Sequence, residues 1–397
     1  MSTETQKEVS RALLEREAGF STEDRAAWSH HMQETQPVRY RPEYNMWDVF
    51  RYKDVQHVLS DYATFSAENS QSKNFPGALG RFDPPHHRQL RSLVSKAFTP
   101  RSIEELAPRL IQISDELLER AKAKGKMDAV PDFTDPLPTR VIAEMLGLPH
   151  SDYERLRSWS YQHVDLALGT SSHDYTEFLQ YFSDQLNERK HAPRNDLISR
   201  LLAAEENGTH LTREEILHMC LELVTAGHVT TTMLLTGALY RFCKQPELYQ
   251  TLRNDPSLIP GAIEEMLRHD FSFANQRRIA RHDTVLAGFQ IKAGQAVMAW
   301  TSAANFDETV FPHSEQFDIR RSPNPHLTFG YGVHVCLGAP LTRLESRIAI
   351  ERIVTHFSDV RPDLERPLQF LRPLSSSNLR SFGISFEKVT DFERNEL

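Results

Sequence analysis

The chain has 397 residues, 39% hydrophobic and 25% charged, with no low-complexity tract, so it has material for one large core or two ordinary ones. A net charge of −8 argues against a surface built for nucleic acid. No run approaches the ~20 apolar residues of a bilayer-spanning helix, and the opening "MSTETQKEVSRALLEREAGF" lacks the apolar core of a signal peptide. Three cysteines, Cys220, Cys243 and Cys336, make no even disulfide framework, and a soluble, cytoplasmic protein without nucleic-acid or membrane partners is expected.

In chain order, "TPRSIEELAPRLIQISDELLERAKAKG" carries apolar residues at helical spacing, with Thr99 and Pro100 as N-cap and first helical residue. "LTREEILHMCLELVTAGHVTTTMLLTGALYRFCKQPE" opens with a capping box, Thr212 to Glu215, and then stays apolar for about thirty residues. A helix of that length spans ~45 Å, enough to cross a domain, and its apolar character all round predicts burial. "RIARHDTVLAGFQIKAGQAVMAWTSAAN" switches to alternation with Gly turns, which predicts short strands and hairpins. "GAPLTRLESRIAIERIVTHF" is an amphipathic helix with Pro340 near its start. No repeat or linker divides the chain, which predicts a mainly α fold with a small β region, in one domain over residues 1–397.

One stretch carries chemistry. In "HLTFGYGVHVCLG", Cys336 sits among Gly330, Gly332 and Gly338, residues that let backbone approach something flat or take positive φ. It precedes the amphipathic helix, whose N-terminal N–H groups and dipole favour a thiolate. Without a neighbouring CxxC, a zinc site or iron–sulfur cluster does not fit. A lone cysteine beside a turn is commonly just buried, but the phrase Phe329-Gly330-x-Gly332-x-His334-x-Cys336-Leu337-Gly338 is far more specific.

On that phrase the sequence resembles the cytochrome P-450 family, haem-thiolate monooxygenases of the soluble bacterial class. The likeness runs from "WDVFRYKDVQHVLSDYATFS" to "RSFGISF". The resemblance implies haem b (iron protoporphyrin IX) between the long central helix and the cysteine loop and helix. Cys336 is then the axial iron ligand, and Phe329, Gly330 and Gly338 belong to the loop against the ring. His87 and Arg91 in "DPPHHRQLRSLVSKAFTP", Arg278 and His334 bind the propionates by the same similarity, with Arg277 as the neighbour able to exchange with Arg278. Glu265 and Arg268 in "EEMLR", with Arg321, resemble the family's buried bracing network.

At the centre of the long helix, "AGHVTT" matches the family's oxygen-binding stretch, with Ala226 and Gly227 as the small residues and Thr230 as the proton-delivering hydroxyl. Gly costs about 1 kcal/mol against Ala inside a helix, so Gly227 calls for a reason. A buried threonine that merely bonds back to a carbonyl is the plainer reading of Thr230. The family's acid, however, is replaced here by Val229, which cannot transfer a proton. A water chain, His228 or the substrate could replace it, or the enzyme could use peroxide, or the change is drift.

The resemblance implies a monooxygenase that puts one oxygen atom of O₂ into a C–H bond of a lipophilic small molecule, such as a steroid, terpenoid or fatty-acid-like compound. No dinucleotide or flavin segment is present, so electrons are expected from a ferredoxin and its reductase, docking on Arg88, Lys96, Arg101, Arg343 and Arg347. Leu223, Val224, Phe273, Ala274, "SAENSQSKNFPGALG" and "LSSSN" are the pocket candidates. The rival readings are a peroxide-using or atypical haem-thiolate enzyme and a haem-binding sensor or carrier without turnover.

Overall fold

Helices account for most of the computed structural model, which describes residues 22–69, 72, 75, 77–167, 175–206, 208–271, 275–366, 369–370 and 379–388. Those that position the site are α1 (His86–Ala97), α2 (Ala107–Lys122), α3 (Pro136–Met145) and α4 (Tyr153–Ala167). They continue with α5 (Thr176–His191), α6 (Arg213–Lys244), α7 (Ile259–His269) and α8 (Ala339–His356). The strands of the two larger sheets are β1 (Val38–Arg41), β2 (Met46–Val49), β3 (Phe65–Ser66), β4 (Lys126–Asp128), β5 (Gln276–Ala280), β6 (Ala296–Ala299), β7 (Phe357–Pro362) and β8 (Gly383–Lys388). One sheet has the order β1-β2-β6-β5-β3, and another β7-β8-β4. This is the mainly helical fold with a small β portion that the sequence implied.

The long helix forms as expected. The Thr212 hydroxyl accepts from the Glu215 N–H at 3.2 Å, and the Glu215 carboxylate accepts from the Thr212 N–H at 2.7 Å. From that cap α6 runs 32 residues, about 48 Å, and packs against α3, α4, α5 and α8. Leu221, Met233, Leu234, Leu235 and Phe242 are buried on several of its faces, so tertiary packing rather than one apolar stripe holds it.

The stretch opening at Thr99 behaves differently. Thr99 and Ser102 form their capping box, but the first helix ends at Glu104 and α2 starts only at Ala107, beside Pro108. Proline lacks an N–H and crowds the preceding turn, so the apolar spacing carries across a break that the backbone cannot bridge.

Glu265 and Arg268 on α7 are both fully buried. Arg268 donates to Glu265 through Nη2 at 2.7 Å and Nε at 2.9 Å, and Arg321 Nε adds a contact at 3.2 Å. Asn324 and the Asp318 N–H complete the carboxylate's shell at 3.1 and 2.9 Å. Arg268 also donates to the carbonyl of Asn305 at 2.8 Å, whose amide bonds Thr328 at the start of the cysteine loop at 2.9 Å. The bracing network implied by resemblance is therefore formed, and it reaches the loop directly.

In α4, His163 is buried, its ring lies 5.2 Å from that of Tyr175 at a tilt of 43°, and among the described residues its Nδ1 has no partner. Burial, helped by the charge of Arg81, pushes its pKa down to about 4.

Two stability measurements follow. Removing one partner of the buried network strands the other charge, so Glu265→Ala is expected to lose about 3–5 kcal/mol in urea unfolding. Arg321→Ala, at the solvated edge, loses less. His163 is neutral when folded but takes a proton below about 6.5 when unfolded, so the unfolded chain binds more protons in acid. Stability therefore falls by about 2 kcal/mol between pH 7 and pH 5 and levels off below about 4. His163→Leu is expected to flatten that limb of the pH–stability curve.

Candidate functional site

Between α6 and the segment that carries Cys336 lies a cavity with about 930 Å³ of empty space, part of it open to solvent. Glu222, Leu223, Ala226, Gly227 and Thr230 form one wall, and Cys336, Leu337, Gly338 and Leu341 the other. His87, Arg91 and His334 also line it.

The cysteine loop is shaped by backbone that other residues take poorly. Gly330 and Gly332 have φ of +76° and +73°, and a Cβ at Gly332 would come within 3.0 Å of the Ser60 backbone. The Cys336 N–H returns to the Phe329 carbonyl at 2.8 Å, and the Arg343 guanidinium lies 4.6 Å over the Phe329 ring. Cys336 is exposed to the open cavity, and the surrounding protein still desolvates its thiol and pushes it up, although the N–H groups of Gly338 and Ala339 and the charges of Arg91 and Arg343 oppose it. The N–H groups at the helix start act in the direction expected from the sequence. The donors are there, but desolvation outweighs them, and a coordinating cation is what deprotonates such a thiol.

The polar edge combines donors short of acceptors. His87 is 2% exposed and its ring lies 4.3 Å from that of His334; Nδ1 of each is buried with no partner among the described residues. Burial, with His334 and Arg91 nearby, pushes His87 down to about 4. Arg91 donates to the Val335 carbonyl at 2.6 Å. On β5, paired opposite Val297, Arg278 is buried and Arg277 only partly so, as strand alternation requires. Arg278 donates to the Arg277 carbonyl at 2.9 Å, and burial lowers it to about 10 against the pull of Asp83. Among the described residues neither Arg91 nor Arg278 pairs with a carboxylate. A soft sulfur on one wall and unanswered cationic and N–H donors at the edge fit a metal macrocycle with acidic side groups, which is what a haem is.

Eight of the sequence-designated residues thus meet at one cavity: Ala226, Gly227, Thr230, His87, Arg91, His334, Cys336 and Gly338. Arg278, Phe329 and Gly330 are not in its lining. Leu223 lines it, whereas Val224, one residue and about 100° further round the helix, is buried and does not. Phe273, Ala274, the segment 374–378 and residues 70, 71, 73, 74 and 76 of the earlier loop lie outside the described residues.

On the α6 wall, the Thr230 hydroxyl donates to the Ala226 carbonyl at 2.6 Å. His228 turns elsewhere. It is fully buried, bonds the Asp135 carboxylate through Nε2, sits 5.2 Å from the Tyr161 ring and is not in the cavity lining. Asp135 also accepts from Arg157 at 2.5 Å and from the Tyr161 hydroxyl at 3.2 Å. Burial pushes Asp135 up, but His228 and Arg157 outweigh it and hold the carboxyl below its ordinary value.

Sequence reading missed two acids. Asp83, which accepts from Ser66, the Ala67 N–H and Arg281 and lies 3.5 Å from His334, gave no signal beyond its place before His87. Glu222 lies four and eight residues before Ala226 and Thr230, a spacing that repeats on one helix face. The expected basic patch is largely answered locally. Arg343 holds Glu264 through two bonds of 2.7 and 2.8 Å, Arg101 pairs with Glu105, Arg347 with Glu351, and Lys96 lies 3.9 Å from Glu206.

Comparison with known proteins agrees with this site. Residues 141–381 match the family model described as "Cytochrome P450". A putative cytochrome P450, YjiB, of Bacillus subtilis is 39% identical over 342 residues, covering 83% of this chain and 86% of that protein. The erythromycin C-12 hydroxylase of Saccharopolyspora erythraea is 39% identical over 351 residues, covering 85% and 88%. The solved structure of CYP109E1 from Bacillus megaterium in complex with testosterone superposes with a TM-score of 0.83 at 33% identity, covering 90% of this chain and 98% of that one. Among the described residues no helix is long and apolar enough to cross a membrane. With Cys336 facing the helix of Thr230 across the cavity, this chain belongs to the cytochrome P450 family of haem-thiolate monooxygenases.

Proposed function

We propose that this monooxygenase inserts one oxygen atom of O₂ into a C–H bond of a lipophilic small molecule of steroid, terpenoid or fatty-acid type. It takes its electrons from a ferredoxin and ferredoxin reductase. The observation that carries the reading is the cavity itself, with one cysteine sulfur facing the Ala226–Thr230 turn of α6 and mostly apolar side chains between. A relative named for erythromycin hydroxylation and a solved neighbour holding testosterone support a bulky, apolar substrate.

The cofactor is haem b, with Cys336 as the iron ligand and Arg91, His87, His334 and Arg278 as partners of its carboxylates. Bound there, it supplies the iron at which dioxygen is reduced and split. The chain's own groups do the rest. The orphaned nitrogens of His87 and His334 gain acceptors, which removes the cost of leaving them buried and unpaired. Ala226 and Gly227 keep the facing wall low. A Cβ at Gly227 would meet Ile142 at an ordinary 3.4 Å, so packing alone does not demand glycine there. The Thr230 hydroxyl donates its hydrogen bond to the Ala226 carbonyl, and its oxygen can then accept from a water in the cavity. Val229, buried in the core, moves no proton, so water must bring protons to Thr230 from another group. That substitution is the one observation favouring a peroxide-using enzyme as the second reading.

The decisive measurement is the absorption spectrum of reduced, carbon monoxide-bound protein. Wild type is expected to show the red-shifted Soret band of thiolate ligation, and Cys336→Ser to lose it while still folded. An unshifted band in haem-loaded wild type would overturn the reading. In turnover with surrogate redox partners, Thr230→Ala is expected to lower product per electron several-fold and to release more hydrogen peroxide. Product formed with peroxide but not with O₂ and reductant would instead establish the second reading.

A further inference from the structure

Among the described residues, Glu222 is the only carboxylate in the cavity lining, and the mechanism does not use it. Its neighbours in the wall include Leu79, Ile142, Met219 and Leu223, all apolar. Its side chain is 33% exposed, and that exposure opens into the cavity it lines. Among the described residues its one ionic contact is Arg81 Nε at 4.0 Å, the outer limit of an ion pair, and that guanidinium also lies 4.5 Å over the Phe75 ring. Burial raises the Glu222 pKa, with Arg81 only partly opposing it. An acid held in an apolar wall with one distant partner is under-satisfied. The guanidinium of Arg91 and the rings of His87 and His334, which also line the cavity, sit together by the cysteine loop and make no contact with Glu222.

Resting on the monooxygenase reading above, we propose that Glu222 selects lipophiles that carry a cationic nitrogen and disfavours those that carry a carboxylate. A substrate ammonium placed against Glu222 supplies the missing partner, and the apolar wall takes the hydrocarbon part. Glu222 lies eight residues, about 12 Å along the helix, from Thr230, so a molecule anchored there presents to the cysteine side a carbon well removed from its charge. The intervening wall residues Leu223 and Ala226 offer no side chain that could carry a proton between the two.

The test uses haem-loaded wild type and Glu222→Gln with three probes of equal chain length: dodecyltrimethylammonium, dodecanol and laurate, each below its aggregation concentration. Affinity is read by equilibrium dialysis and by the ferric Soret difference spectrum. Wild type is expected to bind the ammonium tightest. Glu222→Gln is expected to weaken it about ten- to a hundredfold, leave dodecanol within about twofold, and leave laurate unchanged or tighter. Equal losses for all three probes would overturn the proposal and make Glu222 a structural residue. Unchanged affinities with more peroxide released per electron would overturn it in favour of a proton-supplying role. Glu222→Asp, which keeps the charge, is expected to retain the ammonium preference and guards against a Gln variant that misfolds. The carbon monoxide spectrum of each protein is recorded alongside. Its failure in wild type would count against the haem-thiolate reading, whereas a normal spectrum with no ammonium preference would count against Glu222 alone.

Discussion

A carboxylate with no access to water must be answered by protein, and the arrangement around Glu265 follows from that need. Its two oxygens take bonds from Arg268, Arg321, Asn324 and the Asp318 N–H, so four separate groups are fixed by one side chain. Arg268 then reaches the Asn305 carbonyl, the Asn305 side chain holds Leu327 and Thr328, and Thr328 bonds the Leu267 carbonyl back on α7. The loop that ends in Cys336 is therefore pinned at its start to the same helix that carries the acid. Replacing such a network by hydrocarbon could be as stable, but hydrocarbon would not fix the direction in which the loop leaves α7. Position, rather than stability, is what the network secures.

From that pinned start the loop needs Gly330 and Gly332 to turn back, and it delivers the sulfur to the mouth of α8. Two opposing effects meet there. Helix N–H groups and nearby guanidiniums favour the thiolate, while desolvation by the surrounding protein opposes it and prevails in the protein alone. A cysteine placed this way keeps a negative sulfur only beside a cation, so on the proposed ligation its charge is tied to cofactor binding.

Much of this was legible in the sequence because the informative spacings are short. The cysteine phrase spans ten residues, Glu265 and Arg268 are three apart, His87 and Arg91 four apart, and each set lies within one loop or helix face. What could not be read depends on long-range neighbours. His228 and Asp135 are 93 residues apart in the chain, and only tertiary packing shows that the histidine serves the acid rather than the cavity. Val224 was misplaced because an all-round apolar helix gives no signal for which side faces a cavity. Sequence reveals the donors at a helix start that favour the Cys336 thiolate, but not the desolvation by the surrounding protein that opposes them. Pro108, visible in the sequence, split a helix that apolar spacing alone carried through.

The centre of α6 illustrates how one turn can serve two environments. Thr230 and Ala226 face the cavity, whereas His228 faces α4 and the Asp135 carboxylate, which in turn holds the half-exposed Arg157. The buried charge of Asp135 is thus met from both sides, and His228 is committed to it. With Val229 apolar and His228 occupied, the cavity face of this turn offers the Thr230 hydroxyl and no acid. The nearest acid in the lining is Glu222, about two helical turns away. On the proposed roles, with Thr230 serving the oxygen chemistry and Glu222 the charge of the substrate, this helix separates proton handling from substrate charge along one cavity face. Such a separation lets the wall around Glu222 vary with the substrate while the turn around Thr230 keeps its shape.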